Sequence, residues 1–555
     1  MVFDAFEWVA FLGGWYNART AILIGGLFLF SLRFMFHGNK YNQPPKLAET
    51  IPFLSHTIEF ATNPEAFLKR ALKTMQSLNT DILRIRLGGR QVYLVMGETM
   101  TNPLFRPNSR MTARRFIEIL TEVMFGPTKK DRARLAADIT GRAREPVPGT
   151  EHIEDRLWVK WHHLLSEYLS RPKYTNDLAR WFFDRFTTRI AELFPLEKPT
   201  EMLIWEFLHQ HQTECAARAF LGDGIFEAAP DYIDALAEAE LAIIPIALGP
   251  PRWLNPKPHR ARDRWLDINR RYISNALRGY NWAAAPTDGW DPVLGSPYIR
   301  ELVRWGLNAG DLDIQTIAGM YGQHMSNQNS NSVPATAWTI MNALTCPDSD
   351  LLPNLRREAE AALLPDSHPS KSDPGSLFDM PALLGSPWLQ ATYAETLRLR
   401  VTFSIVRDAS RDTTIGGFPI KRGAMVQAPI PLAHFNEAAW GVPGHPADEF
   451  WPRRHLQSSG MTADGKENLT FAISGQRAGY WFPYGGGPTM CPGRNFAKQE
   501  IIGTLAFFLT WFDLEVVGWV LPDGKTPSDR EARSGETFAV CRPDRDLKVR
   551  LTRKR

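Results

Sequence analysis

Phe482-Pro-Tyr-Gly-Gly-Gly-Pro-Thr-Met-Cys491-Pro-Gly-Arg-Asn-Phe-Ala-Lys-Gln-Glu-Ile501 is the stretch on which the fold is decided. Gly485, Gly486 and Gly487 strip side chains from a loop, so its backbone can approach something flat and large. Cys491 follows at once, and Arg494-Asn495-Phe496-Ala497 reads as the start of a helix. A cysteine at a helix start has its thiolate stabilised by the amide dipoles pointing at it. That suits a nucleophile or a soft metal ligand, and a tight turn with a buried cysteine is the competing reading. No Cys-x-x-Cys pair accompanies it, which favours a single thiolate on an iron already held by a macrocycle.

Around this loop lies a chain of 555 residues, 44% hydrophobic and 22% charged, able to bury a large core. Sixty-four Lys and Arg face 60 Asp and Glu, and the net +4 is not clustered as nucleic-acid binding requires. Four cysteines exclude a disulfide scaffold and place the working part in a reducing compartment. Eighteen Trp and 32 Phe point to large apolar pockets or a lipid boundary.

Ala21–Phe36 is apolar apart from Ser31 and Arg33 and reads as a membrane anchor, with residues 1–20 a short lead. Arg33 can snorkel, and Arg33, Lys40 and Lys46 on the C-terminal side put the body in the cytosol. Pro44-Pro45 reads as a stiff spacer. Leu83–Leu87 and Val92–Met96 alternate with period two about Gly88-Gly89, a hairpin pattern. Residues from Leu157 to Leu344 read as mostly helical, Leu364 to Pro387 as a polar surface insertion, and Val401 to Gln427 as short strands. The expected fold is one mainly α body with small β-sheets over residues 44–555.

The loop and its helix resemble the cytochrome P450 family's haem-ligand segment. Tyr484, Gly487, Cys491 and Gly493 match that family's Phe, first Gly, Cys and last Gly, whereas Thr489 departs from the usual Arg or His. In the branch of cholesterol 7α-hydroxylase and prostacyclin synthase that position is also not arginine and Cys-Pro-Gly-Arg looks alike, so the chain resembles that branch, and a fungal member is expected. Glu395-Thr-Leu-Arg398 alone could be an exposed i, i+3 ion pair. The resemblance makes it the family's Glu-x-x-Arg helix, with Arg454 as third member of a buried structural triad. It gives Arg407 a haem propionate, against the alternative of an exposed strand arginine, and His162 the basic role usual on the third helix.

Gln323 to Trp338 is polar and contains Pro334, which ordinarily reads as a loop. The resemblance makes it the long helix crossing the haem's oxygen face, with Asn331 and Ser332 at the acid–alcohol pair that delivers protons. Without a carboxylate, delivery would run through Asn, Ser and water. His209, His211 and Cys215 read as core or surface groups, and His324 as satisfied by local hydrogen bonds.

The resemblance implies haem b ligated by Cys491, electrons from NADPH through a reductase docked on the cytosolic face, and a single-pass endoplasmic reticulum membrane location. The implied activity is monooxygenation of a hydrophobic terpenoid, steroid or polyketide of specialised metabolism. The alternatives are a haem-thiolate isomerase that rearranges a peroxide without a reductase, motivated by Asn331, and a haem-binding protein without turnover.

Overall fold

The computed structural model describes residues 43–51, 54–106, 110–113, 118–137, 156–247, 249–364, 377–461, 467–473, 475–487, 490–534 and 540–554. The lead, the anchor at 21–36 and Thr489 lie outside the described residues. Among those residues no helix is long and apolar enough to cross a membrane.

The hairpin forms where expected. β1 (Ile82–Leu87) pairs antiparallel with β2 (Arg90–Val95), and Gly88 and Gly89 both take positive φ, 55° and 77°. Two left-handed residues in a two-residue turn match the twist of the strands, which glycine permits without strain. β2 is followed by helix α1 (Glu98–Phe105), and β3 is a two-residue strand, Met111–Thr112. Pro44-Pro45 does not stand apart from the body as a spacer. Pro45 carbonyl accepts from Arg84 N–H at 2.8 Å, and Leu47 is buried against the hairpin.

The helical body follows: α2 (Leu157–Ser170), α3 (Pro172–Leu193), α4 (Thr213–Leu221), α5 (Tyr232–Ala247), α6 (Pro256–Leu277), α7 (Pro297–Leu307), α8 (Ile314–Thr345), α9 (Leu351–Ala361), α10 (Met380–Gly385) and α11 (Pro387–Arg400). A strand β4 (Thr200–Leu203) interrupts it between α3 and α4. Then come β5 (Ser404–Ala409), β6 (Thr413–Ile415), β7 (Phe418–Ile420) and β8 (Met425–Pro429). β9 (Leu456–Met461) and β10 (Glu467–Phe471) form a hairpin, α12 (Arg494–Trp511) follows, and β11 (Phe512–Val520) and β12 (Asp546–Arg553) end the chain. The larger sheet has the order β1-β2-β8-β5-β3, with β2 and β8 parallel; β11-β12-β4 form a second.

α8 is continuous through the polar stretch and Pro334, and is buried along most of its length. Asp313 caps it, accepting from Gln315 N–H at 2.9 Å. Polar side chains weaken a helix when they bond its backbone, as Ser330 and Asn331 do one turn back at 2.6 and 2.5 Å, but Gln328, Asn329 and Thr336 find partners on other elements. Gln328 donates to Glu500 of α12, Asn329 to Glu240 of α5, and Thr336 accepts from Gln212 just before α4. α8 packs on α12, α11 and α6, so the centre of the molecule is one buried polar-striped helix.

The insertion expected at 364–387 is half corrected. Leu377, Phe378 and Leu383 are buried, and α10 packs on α12. Asp379 accepts from Ala382 N–H at 3.1 Å, and with Pro381 at the helix start this stretch is a capped helix rather than a surface loop.

Candidate active site around Cys491

The glycine loop is shaped by α1. A Cβ on Gly487, whose φ is +58°, would lie 2.0 Å from the Phe105 carbonyl oxygen, and one on Gly486 would enter the Phe105 ring. Gly487 is therefore obligatory for backbone packing inside the protein itself. At Gly493 a Cβ would meet Cys491 Sγ at an ordinary 3.8 Å. Cys491 N–H donates to Tyr484 carbonyl at 2.9 Å, and Arg494 Nη1 donates to the Cys491 carbonyl at 3.0 Å. Cys491 is exposed, which removes the competing reading of a buried turn cysteine.

The loop is clamped from two sides. Asn495 Nδ2 donates to the Ser170 carbonyl at 2.7 Å, docking the end of α2 on the start of α12. His162, on α2 and half-buried, lies between the buried Trp158 and Trp161 and the exposed side of that helix. From α11, the Tyr393 hydroxyl meets the Tyr484 hydroxyl. Both phenols are pushed up in pKa by burial, Tyr484 further by its neighbour Tyr393 and by Cys491.

Glu395, Arg398 and Arg454 are brought together, all with side chains inaccessible to solvent. Glu358 of α9 accepts from the Trp388 and Leu389 N–H groups at 3.1 and 3.0 Å, which fixes the start of α11 and hence the height of Glu395. Arg398 holds both Glu395 oxygens at 2.8 Å, and Arg454 Nε holds Oε1 at 2.8 Å. The remaining guanidinium hydrogens go to backbone carbonyls of His434, Ala447, Trp440, Pro446 and Glu449. His455 Nε2 is a fourth member the sequence reading missed, 2.8 Å from Glu395. Burial favours the neutral acid, but Arg398 and then His455 hold the Glu395 carboxyl well below the usual range.

On α8 the pair 331–332 divides. Asn331 is half-exposed and its Nδ2 donates to the Asn327 carbonyl one turn back at 2.5 Å. Ser332 is buried near Glu500 of α12, where its hydroxyl favours the charged carboxyl. Glu500 was not among the expected residues. A lone carboxylate in the apolar run Ile501-Ile502 after Gln499 is the signal that would have found it. Burial pushes its pKa up to about 7.

Arg407, on β5 between β8 and β3, is 6% exposed, so the exposed-strand alternative falls. His324 is corrected. It packs between the Phe220 and Tyr298 rings, its Nε2 has no hydrogen-bond partner among the described residues, and burial drives its pKa down to about 3. His209 packs on Trp205, His211 on Phe207, and buried Cys215 has its thiol pushed up to about 12, chiefly by burial. Among the described residues no group of three His, Cys, Asp or Glu could hold a metal ion.

An exposed Cys491 thus precedes the start of α12, and a buried charge network holds the neighbouring α11. The Cytochrome P450 family profile matches residues 354–530. The chain is 35% identical over 526 residues to cytochrome P450 monooxygenase calL of Penicillium decumbens, covering 93% of this chain and 94% of that one. It is 26% identical over 544 residues to cytochrome P450 monooxygenase fsoE of Humicola fuscoatra, 92% and 88% of the two chains. A 194-residue stretch, 34% of this chain and 36% of the relative, is 29% identical to cholesterol 7-alpha-monooxygenase of Cricetulus griseus. The chain belongs to the cytochrome P450 family and is a monooxygenase of it.

The residues present fit that family's haem on the chemistry of the donors. Cys491 is an exposed thiol, and among the described residues no group of three His, Cys, Asp or Glu could hold an ion by itself, so it would serve as the single protein thiolate of an iron already held by a macrocycle. Arg407 adds a buried guanidinium of the kind that pairs with a carboxylate.

Proposed function

We propose that this chain inserts oxygen into a hydrophobic small molecule of fungal specialised metabolism, a terpenoid, steroid or polyketide. The observation that carries this reading is the 35% identity along nearly the whole length to a Penicillium monooxygenase, together with Cys491 in its loop. Cys491 is the residue that would hold haem b, and Arg407, with His162, the residues that would hold its propionates. The bound group supplies the activation of dioxygen, which thiolate ligation promotes.

The chain's own residues do the rest. Phe105, Gly486 and Gly487 fix the ligand loop, and the Glu395 network keeps α11 and the segment after it immobile beneath it. α8 carries Ser332, a buried hydroxyl able to relay a proton. NADPH-derived electrons arrive through a reductase partner on the face of the Cys491 loop. Membrane association through residues 21–36 is part of the reading. Support comes from apolar side chains left in solvent between α5 and α6, Trp253 at 81% and Leu254 at 64%, and from exposed Ile51, Leu54 and Ile58 near the start of the body.

The decisive experiment compares accurate masses of metabolites from the host with and without the gene. A precursor lacking one oxygen relative to the lost product supports oxygen insertion and delivers the substrate. Equal masses would transfer the chemistry to an isomerase. In the isolated protein, the red-shifted carbon-monoxide band of the reduced form is expected in the wild type and lost in Cys491→Ala.

A further inference from the structure

Arg398 and Arg400 lie two residues apart at the end of α11, and their charges are answered differently. Arg398 gives its Nε and Nη2 edge to the two oxygens of Glu395. Arg400 gives a single hydrogen bond, from Nη1 to the Ser534 hydroxyl at 3.1 Å. Its Nε is buried without a partner among the described residues, and its Nη2 makes no hydrogen bond to them either. Cys541 and the exposed Glu531 are the titratable groups that act on it, and neither forms an ion pair with it. Enclosure by protein brings the guanidinium down to about 10, yet part of the residue stays accessible. A residue so deeply set that keeps accessible surface borders an internal space rather than the outer face.

The guanidinium carbon lies 3.5 Å from the centre of the Trp338 ring of α8. Trp338 is two turns past Asn331, so the two stand on one face of α8, about 10 Å apart along its axis. From Arg400 the chain runs directly into β5, which carries Arg407. Arg400 is therefore held between the helix assigned to the oxygen face and the strand assigned to a haem propionate. Its position is fixed: Cys541 N–H donates to the Arg400 carbonyl at 2.9 Å, and Trp338 Nε1 donates to the Cys541 carbonyl at 2.6 Å. The indole ring and the carbonyl end of α11 answer part of the charge. They leave unbonded the Nε and Nη2 edge, a planar fork that matches two carboxylate oxygens.

We propose that Arg400 is a specificity-determining residue that anchors the carboxylate of a hydrophobic carboxylic acid through Nε and Nη2. The substrate's apolar body then extends toward Asn331, and the carbon to be oxidised lies about 10 Å from the carboxylate. The inference rests on the monooxygenase reading and names the substrate class for it. An uncharged substrate leaves a buried donor without an acceptor beside an enclosed cation, whereas a carboxylate satisfies both.

The test titrates the holoprotein at about pH 8, where the acid is ionised, with dodecanoic acid and with its methyl ester, following the spin-state shift of the haem absorption band. The acid should bind the wild type about tenfold more tightly than the ester. Arg400→Met keeps the stem over Trp338 and removes the fork, and it should level the two affinities by weakening the acid alone. Arg400→Lys keeps the charge without the fork and should retain only part of the preference. An unchanged carbon-monoxide band certifies that each variant is folded and thiolate-ligated. In the wild type, equal affinities or no shift with the acid while that band is present would overturn the anchor and leave the monooxygenase reading standing. A preference untouched by Arg400→Met would do the same. Independently of any variant, the precursor that accumulates without the gene should gain a methyl group on esterification, and a precursor with no carboxyl would sink the proposal. A wild type without the band would overturn the haem-thiolate reading instead.

Discussion

Glu395 and Glu500 are the same residue type, equally inaccessible to water, on neighbouring helices of one core, and their pKa values are pushed in opposite directions. Glu395 sits among two guanidinium groups and an imidazole, each within 2.8 Å. Glu500 sits among two amides and a hydroxyl. Burial raises a carboxyl pKa in both places, and only the cations reverse it. The first site is rigid because its charge is answered on every side. The second is chemically poised because its charge is not answered.

The sharpest way to break this comparison is to remove the answered charge. Glu395→Gln leaves Arg398 and Arg454 buried together without their anion, and a loss of about 3–5 kcal/mol is expected, read as reduced holoprotein and a lowered denaturant midpoint. A smaller effect comes from pH. Glu500 is raised from an ordinary carboxyl value to about 7, so its contribution to stability is complete in acid and is lost as pH climbs through 7. Between pH 5 and pH 9 the wild type should lose about 3 kcal/mol relative to Glu500→Gln in urea titrations, and the reverse slope would refute the assignment.

Next in size is Tyr393→Phe, which strands the buried Tyr484 hydroxyl and should cost about 1–2 kcal/mol, with a shifted carbon-monoxide band as spectroscopic readout. Least of all is Arg453→Ala. Arg453 pairs with Asp348 and Asp350 but keeps a third of its side chain in water, so a loss below about 1 kcal/mol is expected by thermal melt. Its neighbour Arg454, fully buried on Glu395, should behave like the first variant.

Local patterns announced much of this architecture. The hairpin was readable because Gly88-Gly89 is a turn signal that needs no distant partner. The ligand loop and Glu395-Thr-Leu-Arg398 were readable through their resemblance to a family. The polar stretch of α8 was not readable from propensity, because Thr336, Asn329 and Gln328 are satisfied by Gln212, Glu240 and Glu500, each at least 89 positions away. His455 and Glu500 were missed for the same reason: a pairing across 60 or 172 residues leaves no local trace. The expectation for His324 failed because its surroundings turned out to be aromatic rings, which no local window specifies.

The polar stripe of α8 also constrains how this chain can vary. Gln328, Asn329 and Thr336 are each matched to a named side chain on another element, with Thr213 bonded to Asn329 as well. Grafting α8 from a relative into this body should therefore give insoluble protein unless residues 212, 213, 240 and 500 are exchanged with it. Inheritance along this helix is of sets, not of single positions.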